Sequence, residues 1–159
     1  MSLAEVMSVL RALKEGGIRY WLEGGWGVDA LVGHQTRPHR DLDVDLDSTQ
    51  EAQVLDILTQ LGYVLETDWR PNRIELIAPD RGWVDLHPLL LDQDGTVRQA
   101  ALGGGFHTFP APCFTIGHLG GLQVPCVSAG AQLTFHQGYQ LRPEDRHDVD
   151  LLERLLERP

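Results

Sequence analysis

Asp41, Asp43, Asp45 and Asp47 occupy alternate positions of the stretch DLDVDLD, and alternate side chains of a strand share one face. Neighbours on that face lie about 6.7 Å apart along the backbone, close enough to repel unless a cation stands among them. Leu42, Val44 and Leu46 fall on the other face and mark it as the core side. Asp45 and Asp47, nearest the next helix, are expected to be solvated, as charges usually are. Asp41 and Asp43 are the pair expected to share a divalent cation in a partly enclosed site. Asp85, in GWVDLHPL, is the third candidate: a single acid within an otherwise apolar strand, on the same face as His87, which is assigned to the substrate side.

The spacing of the ligand-type residues narrows the choice of cation. A calcium loop starting at Asp41 needs glycine and glutamate where the chain has Leu46 and Ala52. No His-Glu-x-x-His is present, the two cysteines are not paired at zinc spacing, and no Gly-Lys-Ser/Thr marks a P-loop. Magnesium held jointly by carboxylates and a substrate's phosphates is the remaining arrangement. Just upstream stands EGGWGVDALVG. Gly24 and Gly25 allow phosphate to come close to the backbone, and the N-terminus of the following helix offers free N–H groups and the positive end of its dipole. Lys14 is the only lysine, so side-chain contacts to phosphate fall to arginine, with Arg37 and Arg40 the candidates. Acid and anion then meet through metal.

The elements that must hold these residues are legible from periodicity. Ser2 and Glu5 make a capping box before Leu3, Val6, Met7, Leu10 and Leu13, which recur at helical spacing up to Gly16–Gly17. IRYWLE alternates as a strand and runs into the glycine pair, and a short helix follows to Gly33. Beyond the acidic strand, Ser48 and Glu51 predict a second capping box opening a helix to Gly62. YVLETDW, RIELIA and WVDLHPLLL are three further strands separated by turns, ALGGG is expected to be a mobile loop, and CFTIGHLGGLQVPCV a hairpin. Helical patterns return at 128–136 and along EDRHDVDLLERLLER, with Pro143 near the start. The expected fold is α+β, a mixed sheet with helices on one side: a single domain with its core over about residues 1–127 and a helical C-terminal extension over 128–159.

At 159 residues and 42% hydrophobic the chain suits one compact core. It contains neither an apolar run of membrane-spanning length nor a signal-peptide pattern at the start, so a cytoplasmic protein with no membrane partner is expected. A net charge of −10 disfavours nucleic acid and favours cationic partners. Cys113 and Cys126 flank the hairpin, where a bridge is geometrically conceivable; two free thiols are expected in a reducing compartment.

GGWGVDALVGHQTRPHRDLDVDLD with the later VDLHPL resembles the nucleotidyltransferase superfamily of DNA polymerase beta-like fold, specifically its lincosamide and aminoglycoside nucleotidyltransferase branch. The likeness is strongest over about residues 18–90. It implies transfer of a nucleoside monophosphate, AMP from ATP as first choice, to a hydroxyl of a small antibiotic. Asp41 and Asp43 would bind magnesium, and Asp85 would complete the metal shell or take the hydroxyl proton. Gly24, Gly25, Trp26, Arg37 and Arg40 would form the nucleotide end, with Trp26, Asp29 and His39 holding the loop and helix. Two metals roughly 3.5–4 Å apart could stabilise both entering and leaving oxygens. The branch also implies a homodimer whose second subunit helps enclose the acceptor. Modification of a protein or tRNA, and a module that binds nucleotide without turnover, are the alternatives; the acidic balance disfavours tRNA.

Overall fold

The structure is a computed structural model that describes residues 1–157. Ser2 caps α1 (Leu3–Glu15) by accepting from the Glu5 N–H at 3.2 Å. The apolar stripe of α1, including Val6, Val9, Leu10 and Leu13, is buried. Strand β1 (Tyr20–Leu22) leads into α2 (Gly24–Val32), which ends where Gly33, at φ 97°, returns its N–H to the Asp29 carbonyl. Strand β2 (Asp41–Asp47) and a short 3-10 turn (Ser48–Gln50) precede α3 (Glu51–Gln60). Five strands follow: β3 (Val64–Trp69), β4 (Arg73–Ala78), β5 (Gly82–Leu91), β6 (Val97–Ala100) and β7 (Phe106–Thr108). The hairpin β8 (Phe114–Leu119) and β9 (Leu122–Val127), then α4 (Ala129–Phe135) and α5 (Pro143–Leu156), complete the chain.

The strands form one mixed sheet in the order β3-β4-β5-β2-β1-β9-β8, with β6 and β7 extending from β5. The acidic strand β2 is therefore central, antiparallel to β1 and parallel to β5. Leu42, Val44 and Leu46 are fully buried in a core shared with α1 and α3, which leaves the aspartates on the opposite face. No helix among the described residues is long and apolar enough to cross a membrane.

Three expectations are corrected. Asp45 and Asp47 are not solvated: they are 0% and 9% exposed, because a central strand has neighbours on both sides. Asp47, not Ser48, caps the turn before α3, accepting from the Thr49 N–H at 3.0 Å and its hydroxyl at 2.7 Å and pairing with Arg19. ALGGG is a hairpin turn between β6 and β7, closed by the Gly105 carbonyl accepting from the Ala101 N–H and the Ala101 carbonyl accepting from the Gly104 N–H. Neither strand was legible beforehand, since only the pairing of β6 with β5 and of β7 with β6 makes them strands. Cys126 lies opposite Thr115, while Cys113 precedes β8; both thiols are buried and free.

Candidate active site

Parallel pairing of β2 with β5 sets Asp43 beside Asp85 and Asp45 beside His87. Asp43, Asp85 and His87 each offer a ligand atom, and these atoms lie within 4.8 Å of one another. Asp41 lies two residues away, opposite Trp83, and accepts from Arg40 Nε at 3.2 Å. It lines the same cleft but stands outside this compact group. His87 Nε2 lies 3.7 Å from Asp43 Oδ1. Burial lowers the affinity of its imidazole for a proton, but the carboxylates of Asp43, Glu23 and Asp85 outweigh burial and push its pKa up to about 9. A positive charge is thus favoured among these acids, and the two carboxylates are hard oxygen donors, so the donor set fits a divalent ion of the magnesium type. Asp43 and Asp85 would hold it; the nitrogen of His87 suits such an ion poorly.

Asp85 is 4% exposed. Burial pushes its pKa up to about 6, against the opposing pull of His87 and Arg73. Arg73 Nε donates to Asp85 Oδ1 at 2.5 Å, and its other nitrogen donates to Glu75. Arg40 reaches the same Glu75 oxygen at 3.3 Å while its guanidinium lies 4.7 Å from the Trp83 ring centroid. Both arginines line the cleft, each already tied to acids.

The glycine pair has a steric cause on both counts. Gly24 has φ 58°, and a Cβ there would run into the Asp43 carboxylate. A Cβ on Gly25 would collide with the His39 ring and lie 2.7 Å from the terminal nitrogen Nη2 of Arg37. Glu23 makes no side-chain cap, so the first N–H groups of α2 remain available at the cleft. The loop from α2 to β2 is braced by Asp29, which is fully buried: it accepts from Thr36 N–H at 2.9 Å and Oγ1 at 2.6 Å, and its other oxygen lies 2.5 Å from His39 Nε2. Trp26, assigned above to the nucleotide end, is 1% exposed and packs into the core 4.5 Å from the His39 ring. It holds the turn from behind and does not line the cleft.

The cleft measures about 820 Å³. It gathers Gly24, Gly25, Arg37, Arg40, Asp41, Asp43, Asp85 and His87 from the sequence reading. It also contains residues that reading missed: Glu23, Arg73, Gln132, His136 and Asp148. Glu23 donates its N–H to the Asp43 carbonyl at 3.2 Å. Asp45 lies behind it with neither oxygen reached by a protein donor. Burial, followed by the charge of Glu23, raises the pKa of Asp45 well above its ordinary value. The position of Glu23 immediately before the glycine pair was the available signal; for Arg73 and Asp148 there was none, because only the fold brings Asp85 to Arg73 and Arg37 to Asp148.

A central pair of strands carrying adjacent carboxylates, beside a glycine turn that opens a helix, defines a nucleotidyltransferase fold. The chain belongs to the aminoglycoside-2''-adenylyltransferase family, which it matches over residues 5–152. A lincosamide resistance protein of Staphylococcus haemolyticus is 39% identical over 149 residues, 94% of this chain and 92% of that protein. A 2''-aminoglycoside nucleotidyltransferase of Escherichia coli is 32% identical over only 57 residues, 36% of this chain and 32% of its own length. The lincosamide antibiotic adenylyltransferase LnuA, solved with lincomycin bound, superposes with a TM-score of 0.88 at 37% identity and 98% coverage of both chains. ANT(2'')-Ia, solved in complex with adenylyl-2''-tobramycin, shares the fold at a TM-score of 0.79 and 18% identity, over 97% of this chain and 88% of its own.

Proposed function

We propose that the protein is a magnesium-dependent adenylyltransferase that moves AMP from ATP onto a hydroxyl of a lincosamide antibiotic. The observation that carries this reading is the Asp43–Asp85 pair beside the Gly24–Gly25 turn, in a chain similar over almost its whole length to a lincosamide resistance protein. An aminoglycoside is the second acceptor, favoured by the family match and by the net charge of −10.

In this scheme the acceptor oxygen attacks the α-phosphorus, the bond to pyrophosphate breaks, and the acceptor's proton passes to Asp85 Oδ. A carboxylate with a pKa of about 6 is ionised at neutral pH and basic enough to take that proton as the bond forms. Arg73 holds the Asp85 carboxylate in place through the 2.5 Å bond to Oδ1. The free N–H groups of α2, with Arg37, receive the phosphates, and Asp41 with Arg40 closes the exposed end of the same wall. Magnesium bound by Asp43 and Asp85, with Asp41 nearby, would neutralise the triphosphate. His87 and Glu23 face the acceptor side.

The catalytic unit is taken to be one domain, its helical extension from residue 128 forming a wall of the cleft, in a cytoplasmic homodimer. Light scattering that finds a fully active monomer would remove the dimer. The deciding experiment incubates the protein with magnesium, each of ATP, GTP, CTP and UTP, and a panel of lincosamides and aminoglycosides, read by mass spectrometry. Gain of one nucleoside monophosphate on the acceptor is expected. Absence of both product and pyrophosphate across the panel would overturn the reading.

A further inference from the structure

Helix α5 and the loop between α2 and β2 are more than a hundred residues apart in sequence, yet they meet at two side-chain contacts. His147 Nε2 lies 3.1 Å from Thr36 Oγ1. The next residue along the helix, Asp148, grips Arg37: Nε donates to one carboxylate oxygen at 2.9 Å and a terminal nitrogen donates to the other. The Arg37 and Asp148 side chains are 22% and 4% exposed, so the pair is mostly closed to water. Among the described residues no other side chain or backbone donor reaches the Asp148 carboxylate. Its burial is therefore compensated by Arg37 alone.

A guanidinium has five N–H groups in a rigid plane. Asp148 takes two of them and the Pro38 carbonyl a third at 3.3 Å, which leaves two. The plane is also fixed against the glycine turn, since Nη2 of Arg37 is the atom a Gly25 side chain would meet at 2.7 Å. An unanchored arginine on a surface loop would sample many rotamers and would swing toward Asp41 or Asp29. Held at Nε and at one terminal nitrogen, it keeps one orientation beside the N–H groups of α2.

We infer that Asp148 is a positioning residue for the nucleotide: through its two-point bond it presets Arg37 so that the two remaining N–H groups meet phosphate oxygens at the Gly24–Gly25 turn. The C-terminal helix is then part of the nucleotide site although it contributes no phosphate contact of its own. This rests on the nucleotidyl-transfer reading above.

The opposite role is physically available. Asp148 could instead neutralise Arg37 and compete with phosphate, in which case its removal would tighten nucleotide binding. A double-mutant cycle separates the two. Titration calorimetry with magnesium and a non-hydrolysable ATP analogue is run on the wild type, Arg37→Ala, Asp148→Ala and the double variant, with melting temperatures alongside. Each single change is expected to weaken binding by roughly 10- to 100-fold, the range for losing a preset contact. The double variant should bind no worse than Arg37→Ala. Leu152→Ala, which empties a fully buried site on the same helix, should lower the melting temperature yet leave the affinity near wild type. Should Asp148→Ala fail to fold, Asp148→Asn keeps the volume and one acceptor and takes its place in the cycle. Tighter or unchanged binding without Asp148, additive losses in the double variant, or an affinity that merely follows melting temperature through Leu152→Ala would each overturn the inference. If the wild type itself binds no nucleotide, the functional reading fails first and this inference with it.

Discussion

Asp85 and His87 sit two residues apart on one strand and titrate in the same direction for different reasons. For Asp85, burial raises the pKa to about 6, with His87 and Arg73 limiting the rise. If Asp85 receives the acceptor's proton, kcat/KM, which reports groups of the free enzyme, should fall as pH drops below about 6 and level off above it, with the midpoint lower where magnesium already sits on Asp85. Asp85→Asn preserves size but removes the charge, and should lower turnover by roughly 100-fold or more, the usual range for loss of a general base. Nucleotide affinity should fall less in that variant than in Asp43→Asn, because Asp43 balances the cation beside the glycine turn. A fully active Asp85→Asn would end its part in the reaction. For His87 the folded pKa of about 9 lies above the ordinary 6.5, so the folded state binds the extra proton. The associated stability is fully present below pH 6.5 and is lost as pH rises through about 9. Melts of the metal-free protein in chelator should therefore drop across that window, and His87→Gln should flatten the slope.

At the scale of elements, the glycine turn shows which features a sequence can carry. Two glycines between a strand pattern and a helix pattern announced a turn with close backbone approach. Asp43 and Asp85 were likewise legible, because alternation assigns the face of a strand whatever lies beside it. What approaches the glycines was not legible: Asp43 lies against Gly24, and His39 with Arg37 against Gly25. Alternation also could not tell that β2 is central, and so missed that Asp45 and Asp47 are buried. Strand order is a property of pairing, and the same limit hid β6, β7 and the bond from Arg73 to Asp85. The geometry at Gly25 gives a test. A methyl group there would push the Arg37 guanidinium and the His39 ring aside while leaving the core packing of Trp26 in place. Gly25→Ala should therefore raise the Michaelis constant for the nucleotide by about tenfold or more, with a loss of stability of about 1–3 kcal/mol. Gly33→Ala, at φ 97° but with open space around it, should lose stability with little change in that constant. Equal effects of the two substitutions on nucleotide affinity would mean that Gly25 serves the backbone alone.

Over the whole molecule the sign of the field follows from how its few cations are used. The chain carries 23 acidic residues against 13 lysines and arginines. The arginines of the cleft are already committed: Arg37 to Asp148, Arg73 to Asp85 and Glu75, Arg40 to Asp41 and Glu75, and Arg142 to Glu144 and Asp145. Seen from a distance, the cleft is negative, and its affinity for phosphate comes only at contact, from the remaining N–H groups and from a cation between the carboxylates. Long-range attraction therefore favours an acceptor bearing an amine and opposes magnesium–ATP, which is a net anion. Raising ionic strength from about 0.05 M to about 0.5 M shortens the screening length from roughly 14 Å to roughly 4 Å and removes most of this field while leaving buried contacts intact. The Michaelis constant of an amine-bearing acceptor should then rise several-fold, by more for an aminoglycoside with several amines than for a lincosamide with one. The constant for magnesium–ATP should stay level or fall. Steady-state kinetics at the two ionic strengths, varying each substrate in turn, measures both signs at once. A nucleotide constant that rises steeply with salt while the acceptor's does not would mean that the arginines of the cleft, not the net charge, set the field each substrate meets.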